Sequence, residues 1–306
     1  MRLTFIAAAL MLATVPARAD VGALLDRHIL PGLAAFADAT GALADDAAAD
    51  CRAPALRPGL DAAFDAWLPV GDLRIEPSET GALSIAFWPD PRGFTQRTLA
   101  RLVAEEDPVA GDPTAFAEYA TDNYTCRLAA TIAADLRRQA AALATAWTDG
   151  FAATLRSAGA PGNATYLSGD EALRAVYTQV LGGLEFTADQ RLGRPMGTFD
   201  RPRPALAEAR RSGRSLRHVI LAAQAGHDMA LALAGHDLPV TTAAMGRVRD
   251  AAGRISDPAF ADIADPAARL RVEVLQQAVD GLHTAIAAEL GTPMGIAPGF
   301  NAQDGD

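Results

Sequence analysis

The chain has 306 residues, half of them hydrophobic, with 37 acidic side chains against 27 basic ones and a net charge of −10. This length is enough for one or two hydrophobic cores. The acidic balance argues against nucleic acid and against anionic membrane surfaces as partners.

Arg2, the apolar run Leu3 to Leu12 and the small-residue stretch Val15-Pro16-Ala17-Arg18-Ala19 read as a secretory signal peptide, residues 1–19. Cleavage after Ala19 predicts a mature chain from Asp20 with a charge of −12, because Arg2 and Arg18 are lost. No later stretch holds about 18 uninterrupted apolar residues, so no transmembrane segment is expected and a periplasmic location is. Cys51 and Cys126 are the only cysteines. In an oxidising compartment they are expected to pair, closing a long loop worth about 4–5 kcal/mol in the chain-entropy model. The alternative is a pair of thiolate ligands, for example for copper.

Helical periodicity then runs nearly throughout. Leu60, Ala63, Phe64, Trp67 and Leu68 form one stripe, with Pro58 expected near its start. Ala129, Ile132, Leu136, Ala140, Leu143, Trp147 and Phe151 form a second. Ser168-Gly169-Asp170-Glu171 is a capping-box sequence opening a helix whose apolar face is Leu173, Val176, Tyr177, Val180, Leu181 and Leu184. Leu275, Val279, Leu282, Ile286 and Leu290 mark the last helix. Stripes this wide need partner helices, which predicts an all-α fold. The Gly- and Pro-rich stretch around Ala158–Asn163 is the best boundary, giving helical bundles over 20–158 and 168–306. Leu192-Gly193-Arg194-Pro195-Met196-Gly197 recurs as Leu290-Gly291-Thr292-Pro293-Met294-Gly295, a pseudo-repeat expected to end two helices at Gly.

Among the histidines, His218, His227 and His236 stand nine residues apart. On one helix that spacing points neighbours to opposite sides, about 13 Å apart along the axis. His227 reads as a core residue and His236 as a helix-end cap. Asp280 and His283 share a helix face and could bind a metal or pair structurally. Arg211-Ser212-Gly213-Arg214-Ser215 could hold an anion, or could pair with Glu208 and a carboxylate of the C-terminal tail.

The tail Gly291-Thr292-Pro293-Met294-Gly295 through Gly299-Phe300-Asn301-Ala302-Gln303-Asp304-Gly305-Asp306 resembles the C-terminus of imelysin-family bacterial proteins. His28-Ile29-Leu30-Pro31, Phe87-Trp88-Pro89-Asp90-Pro91-Arg92-Gly93 and the Arg-Ser-Gly-Arg-Ser element are similar to family segments as well. The resemblance implies two helical bundles with a cleft between them, and a role in iron acquisition or in binding a metal-bearing ligand in the cell envelope. The family's Gly-x-His-x-x-Glu hallmark is not intact. Gly111 to Glu118 stands in its place, with Glu118 the counterpart of its Glu, and no His-x-x-Glu occurs in the chain.

The resulting expectation is an exported, non-catalytic binding protein. Glu118, Arg211, Ser212, Arg214, Asn301 and Asp304 are its candidate ligand-binding residues. His28, Asp280 and His283 are candidate donors for iron or another divalent metal. Its partners would be a metal ion or small ligand, or an envelope protein. A metallopeptidase and a metal-free envelope scaffold are the alternatives.

Overall fold

The computed structural model describes residues 19–90, 92–105 and 124–296. Residues 1–18 of the expected signal peptide, Glu118, and the tail with Asn301 and Asp304 lie outside the described residues.

Nine helices and no strand make up the described chain, apart from one isolated bridge between Thr198 and Arg201. Helix α1 joins Val21–Leu24, a π-helical turn at Leu25–Ile29, and Leu30–Ala49. Helix α2 is Ala53–Gly71, α3 Ser78–Ile85 and α4 Phe94–Glu105. Helix α5 joins Tyr124–Ala146, a π turn at Trp147–Phe151, and Ala152–Arg156. Helix α6 joins Gly169–Phe186, a π turn at Thr187–Gly193, and Arg194–Met196. Helices α7 (Ser215–Ala234) and α8 (Pro239–Ala252) follow, and α9 joins Pro266–Ile286 to a final π turn at Ala287–Gly291.

Helices α1, α2 and α5 pack together in the first half, and α6 to α9 in the second. Helix α7 lies in the middle, in contact with α1, α2, α6, α8 and α9. One hydrophobic cluster runs from Leu24 to Leu290 through both halves. The start of α1 packs on α6 and α7, and the Asp20 N–H donates to the Leu233 carbonyl at 2.8 Å.

Local chemistry explains the helix ends. Ser168 accepts the Glu171 N–H at 3.1 Å, and the Glu171 carboxylate takes the Leu167 N–H at 2.7 Å, one residue before its usual partner in a capping box. Asp265 accepts two N–H groups of the first turn of α9, where Pro266 needs no partner. Glu289 reaches across from α9 to cap α8, accepting the Val240 and Thr241 N–H groups at 3.0 and 2.7 Å.

Three local expectations are corrected. Pro58 lies inside α2 rather than near its start, because the helix begins at Ala53 with Pro54 in the first turn. On α5 the stripe is buried from Ala140 onward, but Ile132 is 48% exposed while Ala130 and Ala133 are buried, so the face rotates along this helix. The first copy of the repeat ends its helix later than expected, because Arg194–Met196 continue it past Gly193, whereas the second copy ends its helix at Gly291 as expected; the backbone then turns at Gly197 (φ 54°) and Gly295 (φ 68°). The first glycine of each copy instead faces a neighbouring helix. A Cβ at Gly193 of α6 would lie 3.2 Å from the Gln276 amide of α9, and one at Gly291 of α9 would lie 2.1 Å from the Tyr177 hydroxyl of α6.

Candidate functional site

The Arg-Ser-Gly-Arg-Ser element joins α6 to α7 through a 3-10 turn at Arg210–Ser212. Ala209 (φ 49°) and Gly213 (φ 70°) bracket that turn in left-handed backbone, which costs energy at a non-glycine residue. The strain is held by local bonds. Ser212 Oγ donates to the Ala209 carbonyl at 2.8 Å, and Ser215 Oγ to the Glu208 carbonyl at 2.5 Å.

Behind the element lies a buried ion network. Arg191 of α6 donates through Nη1 and Nη2 to both carboxylate oxygens of Asp72, at 2.7 and 3.0 Å, and through Nε to Glu208 Oε2 at 2.9 Å. Its Nη1 also reaches Thr187 Oγ1 at 3.0 Å, and its guanidinium lies 4.9 Å from the Phe186 ring centre. His218 Nδ1 is 3.1 Å from the same Glu208 oxygen, and its ring stacks near Phe64. Burial alone would raise the Glu208 pKa, but Arg191 and His218 outweigh it and hold the carboxyl at about 2. Burial likewise opposes the charge on Arg191, and Asp72 and Glu208 reverse the effect, so it stays protonated.

The solvent side of the element is different. Arg214 pairs with Asp61 (3.3 Å) and Asp65 of α2, and Arg217 joins Asp65 at 3.2 Å. Exposed Arg211 donates to Gln96 Oε1 at 2.7 Å. Glu208 therefore serves Arg191 and His218 instead of the arginines of the element. Arg211 and Ser212 line a pocket of about 590 Å³ with Arg52, Arg57, Leu56, Leu60 and Asp61, beside the Cys51–Cys126 disulfide. That volume suits a small molecule.

The candidate metal donors fall into separate surroundings. His28 Nε2 is 3.0 Å from the Pro69 carbonyl, and the residue lines a hollow with Asp228 and His236. Asp280 and His283 face α6, where His283 Nε2 lies 3.2 Å from Glu185 Oε1. The Asp280 pKa is raised by burial and by Asp189. Among the described residues no three His, Cys, Asp or Glu side chains are grouped to hold an ion. The structure keeps Asp280 and His283 adjacent but does not bring His28 to them, so the three do not fit a single metal centre. His218 and His227 are both buried although they point to opposite sides, because α7 has neighbours all round. His227 bonds Asp228 at 2.8 Å, and His236 Nδ1 lies 2.8 Å from the Ala234 carbonyl at the helix end.

The imelysin family model (Peptidase_M75) matches residues 29–286, most of the chain. The chain belongs to the imelysin family. An imelysin-like protein from Psychrobacter arcticum 273-4 shares its fold, with a TM-score of 0.70 at 16% identity, over 92% of this chain and 99% of that one. No curated protein matches. The matched residues include the Phe87–Gly93 and Arg211–Ser215 segments that suggested the family, and the paired cysteines agree with the disulfide reading. No helix among the described residues is long and apolar enough to cross a membrane.

Asp72, Gln96, Asp61, Asp65 and Arg191 escaped the sequence reading. Arg191 had a usable signal: it continues the stripe Val180, Leu184, Ala188 at helical spacing, and an arginine on an apolar stripe needs buried counter-ions. Its partner Asp72 lies 119 residues away, where no local pattern reaches.

Proposed function

We propose that this imelysin-family chain is an exported binding protein of the cell envelope that performs no catalysis and holds an anionic, metal-bearing small ligand, such as a ferric carboxylate chelate. The observation that carries this reading is the pocket beside the disulfide. Its floor is apolar, from Leu56, Leu60 and Ala129, and its rim carries the guanidinium groups of Arg52, Arg57 and Arg211. Arg52 is committed to Asp50, and Asp61 to Arg214. Arg57 has no polar partner among the described residues. Arginine forks match carboxylates in a bidentate geometry. Iron would then be recognised through the charge of its chelator, which needs no cluster of protein donors. The expected leader sequence and the disulfide suit an oxidising compartment outside the cytoplasm.

Calorimetry with ferric citrate tests the reading. Saturable binding is expected, weakened about tenfold by Arg211→Ala or Arg57→Ala through loss of a charge-assisted contact. Absence of binding, or binding indifferent to both substitutions, would overturn it.

A further inference from the structure

A second hollow shares Arg211 with the disulfide pocket and no other residue. It holds about 320 Å³. Its apolar lining comes from Phe87 and Trp88, in the loop between α3 and α4, and from Leu99 of α4. Trp88 is the one tryptophan of three that is not buried. Its ring meets Phe186 of α6 edge-on at 5.8 Å, so the indole is held from that helix. Phe186 in turn lies against the Arg191 guanidinium, which ties this surface to the buried network.

Positive charge enters the same lining through Arg194, Arg210 and Arg211. Each of them bonds a neutral acceptor. Arg194 Nη1 reaches Gln190 Oε1 at 3.4 Å, Arg210 Nε donates to the Ala205 carbonyl at 3.0 Å, and Arg211 is held by Gln96. No carboxylate among the described residues forms an ion pair with any of the three. Asp90 is the only acidic residue in the lining, and its carboxylate accepts the Thr95 N–H at 2.8 Å at the start of α4. Three guanidinium groups thus stand against one carboxylate, beside an aromatic surface.

We infer that this hollow binds a small aryl carboxylate, its ring on Trp88 and Phe87 and its carboxylate on the arginines. The volume is at the small end of ligand sites, which suits one ring and its substituents. Guanidinium groups match the planar carboxylate through paired N–H donors. A fixed indole offers contact area at little entropic cost. Asp90 sets the charge of the ligand, because a dianion such as a phosphate ester meets more repulsion from it than a monocarboxylate does. A neutral aromatic compound leaves the arginines unserved. Arg194 and Arg210 stand outside the disulfide pocket, so this inference does not rest on the chelate reading.

The test is titration of the full mature chain with phenylacetate and with its uncharged counterpart phenylacetamide, followed by calorimetry and by tryptophan emission. Saturable binding of phenylacetate is expected, with the amide at least about tenfold weaker. Arg194→Ala and Arg210→Ala should each weaken it about tenfold while melting like the parent protein. Arg57→Ala, in the other pocket, should leave it unchanged. Trp88→Phe keeps an aromatic face, so heat of binding should persist while the emission change disappears. Absence of saturable binding, or equal affinity for the amide, overturns the inference. Binding lost in Arg57→Ala but kept in Arg194→Ala and Arg210→Ala overturns it too, by moving the site to the disulfide pocket. The chelate reading is scored separately, by the effect of Arg57→Ala on ferric citrate.

Discussion

Arg191 and Arg211 lie within one short stretch of chain, yet one is enclosed by protein and the other stands in solvent. Arg191 is 5% exposed and hydrogen-bonds Asp72, Thr187 and Glu208, the last of which also meets His218. Arg211 has one amide partner, Gln96, and faces two hollows. The interior charge is spent on holding α2, α6 and the Arg-Ser-Gly-Arg-Ser element in register. The outer charge remains available to a ligand. The strained turn at Ala209–Gly213 separates the two environments.

Substitution at the two positions should separate the roles. Arg191→Met leaves Asp72 and Glu208 buried without the guanidinium between them, which is expected to cost about 3–5 kcal/mol in urea unfolding. Loss of less than about 1 kcal/mol would mean that water already screens the network. Adding Glu208→Gln to Arg191→Met should cost less than the sum of the two single changes, because both act on one network.

Removing the disulfide with Cys51→Ser/Cys126→Ser should lower stability by about 2–4 kcal/mol. It should also weaken ligand binding at the adjacent pocket, and a variant that binds unchanged would show the crosslink to be purely a staple.

Acid should act on the interior half. The Glu208 carboxyl is held at about 2 in the folded chain against an ordinary 4.5. Its contribution is therefore complete above pH 4.5 and is lost as pH falls toward 2, amounting to about 3 kcal/mol. Glu208→Gln should be less stable at neutral pH but flatter across that acid range. A variant that keeps the parent's acid slope would place the titration elsewhere.

The smallest stability effect belongs to the rim. Arg211→Ala should change unfolding by no more than about 0.5 kcal/mol, since it is exposed. Loss of stability comparable to Arg191→Met would erase the distinction between the two arginines.

Much of this architecture was legible in the sequence, and the reasons are local. Apolar stripes such as Leu275 to Leu290 report one buried face, and Ser168 with Glu171 marks a helix start through bonds within one turn. The disulfide followed from cysteine count and compartment. The π turns were not legible, since they shift hydrogen-bond register without altering the types of residue present. Nor were the partners of the arginines. Arg214 has Asp61 and Asp65 roughly 150 positions away, brought close only when α7 packs on α2. The candidate donors illustrate the same limit: Asp280 and His283 are neighbours by helical spacing alone, whereas His28 depends on tertiary packing and lies among other residues.

Helix α7 is the element with neighbours on every side, and even Gly226 within it admits no Cβ without pressing on Leu184, 2.9 Å away. Backbone amides in its middle should exchange with deuterium only when the whole chain opens, so their exchange is expected to report global stability. The Arg-Ser-Gly-Arg-Ser element leads directly into that same helix, so a ligand gripping Arg211 would pull on the most enclosed strut among the described residues.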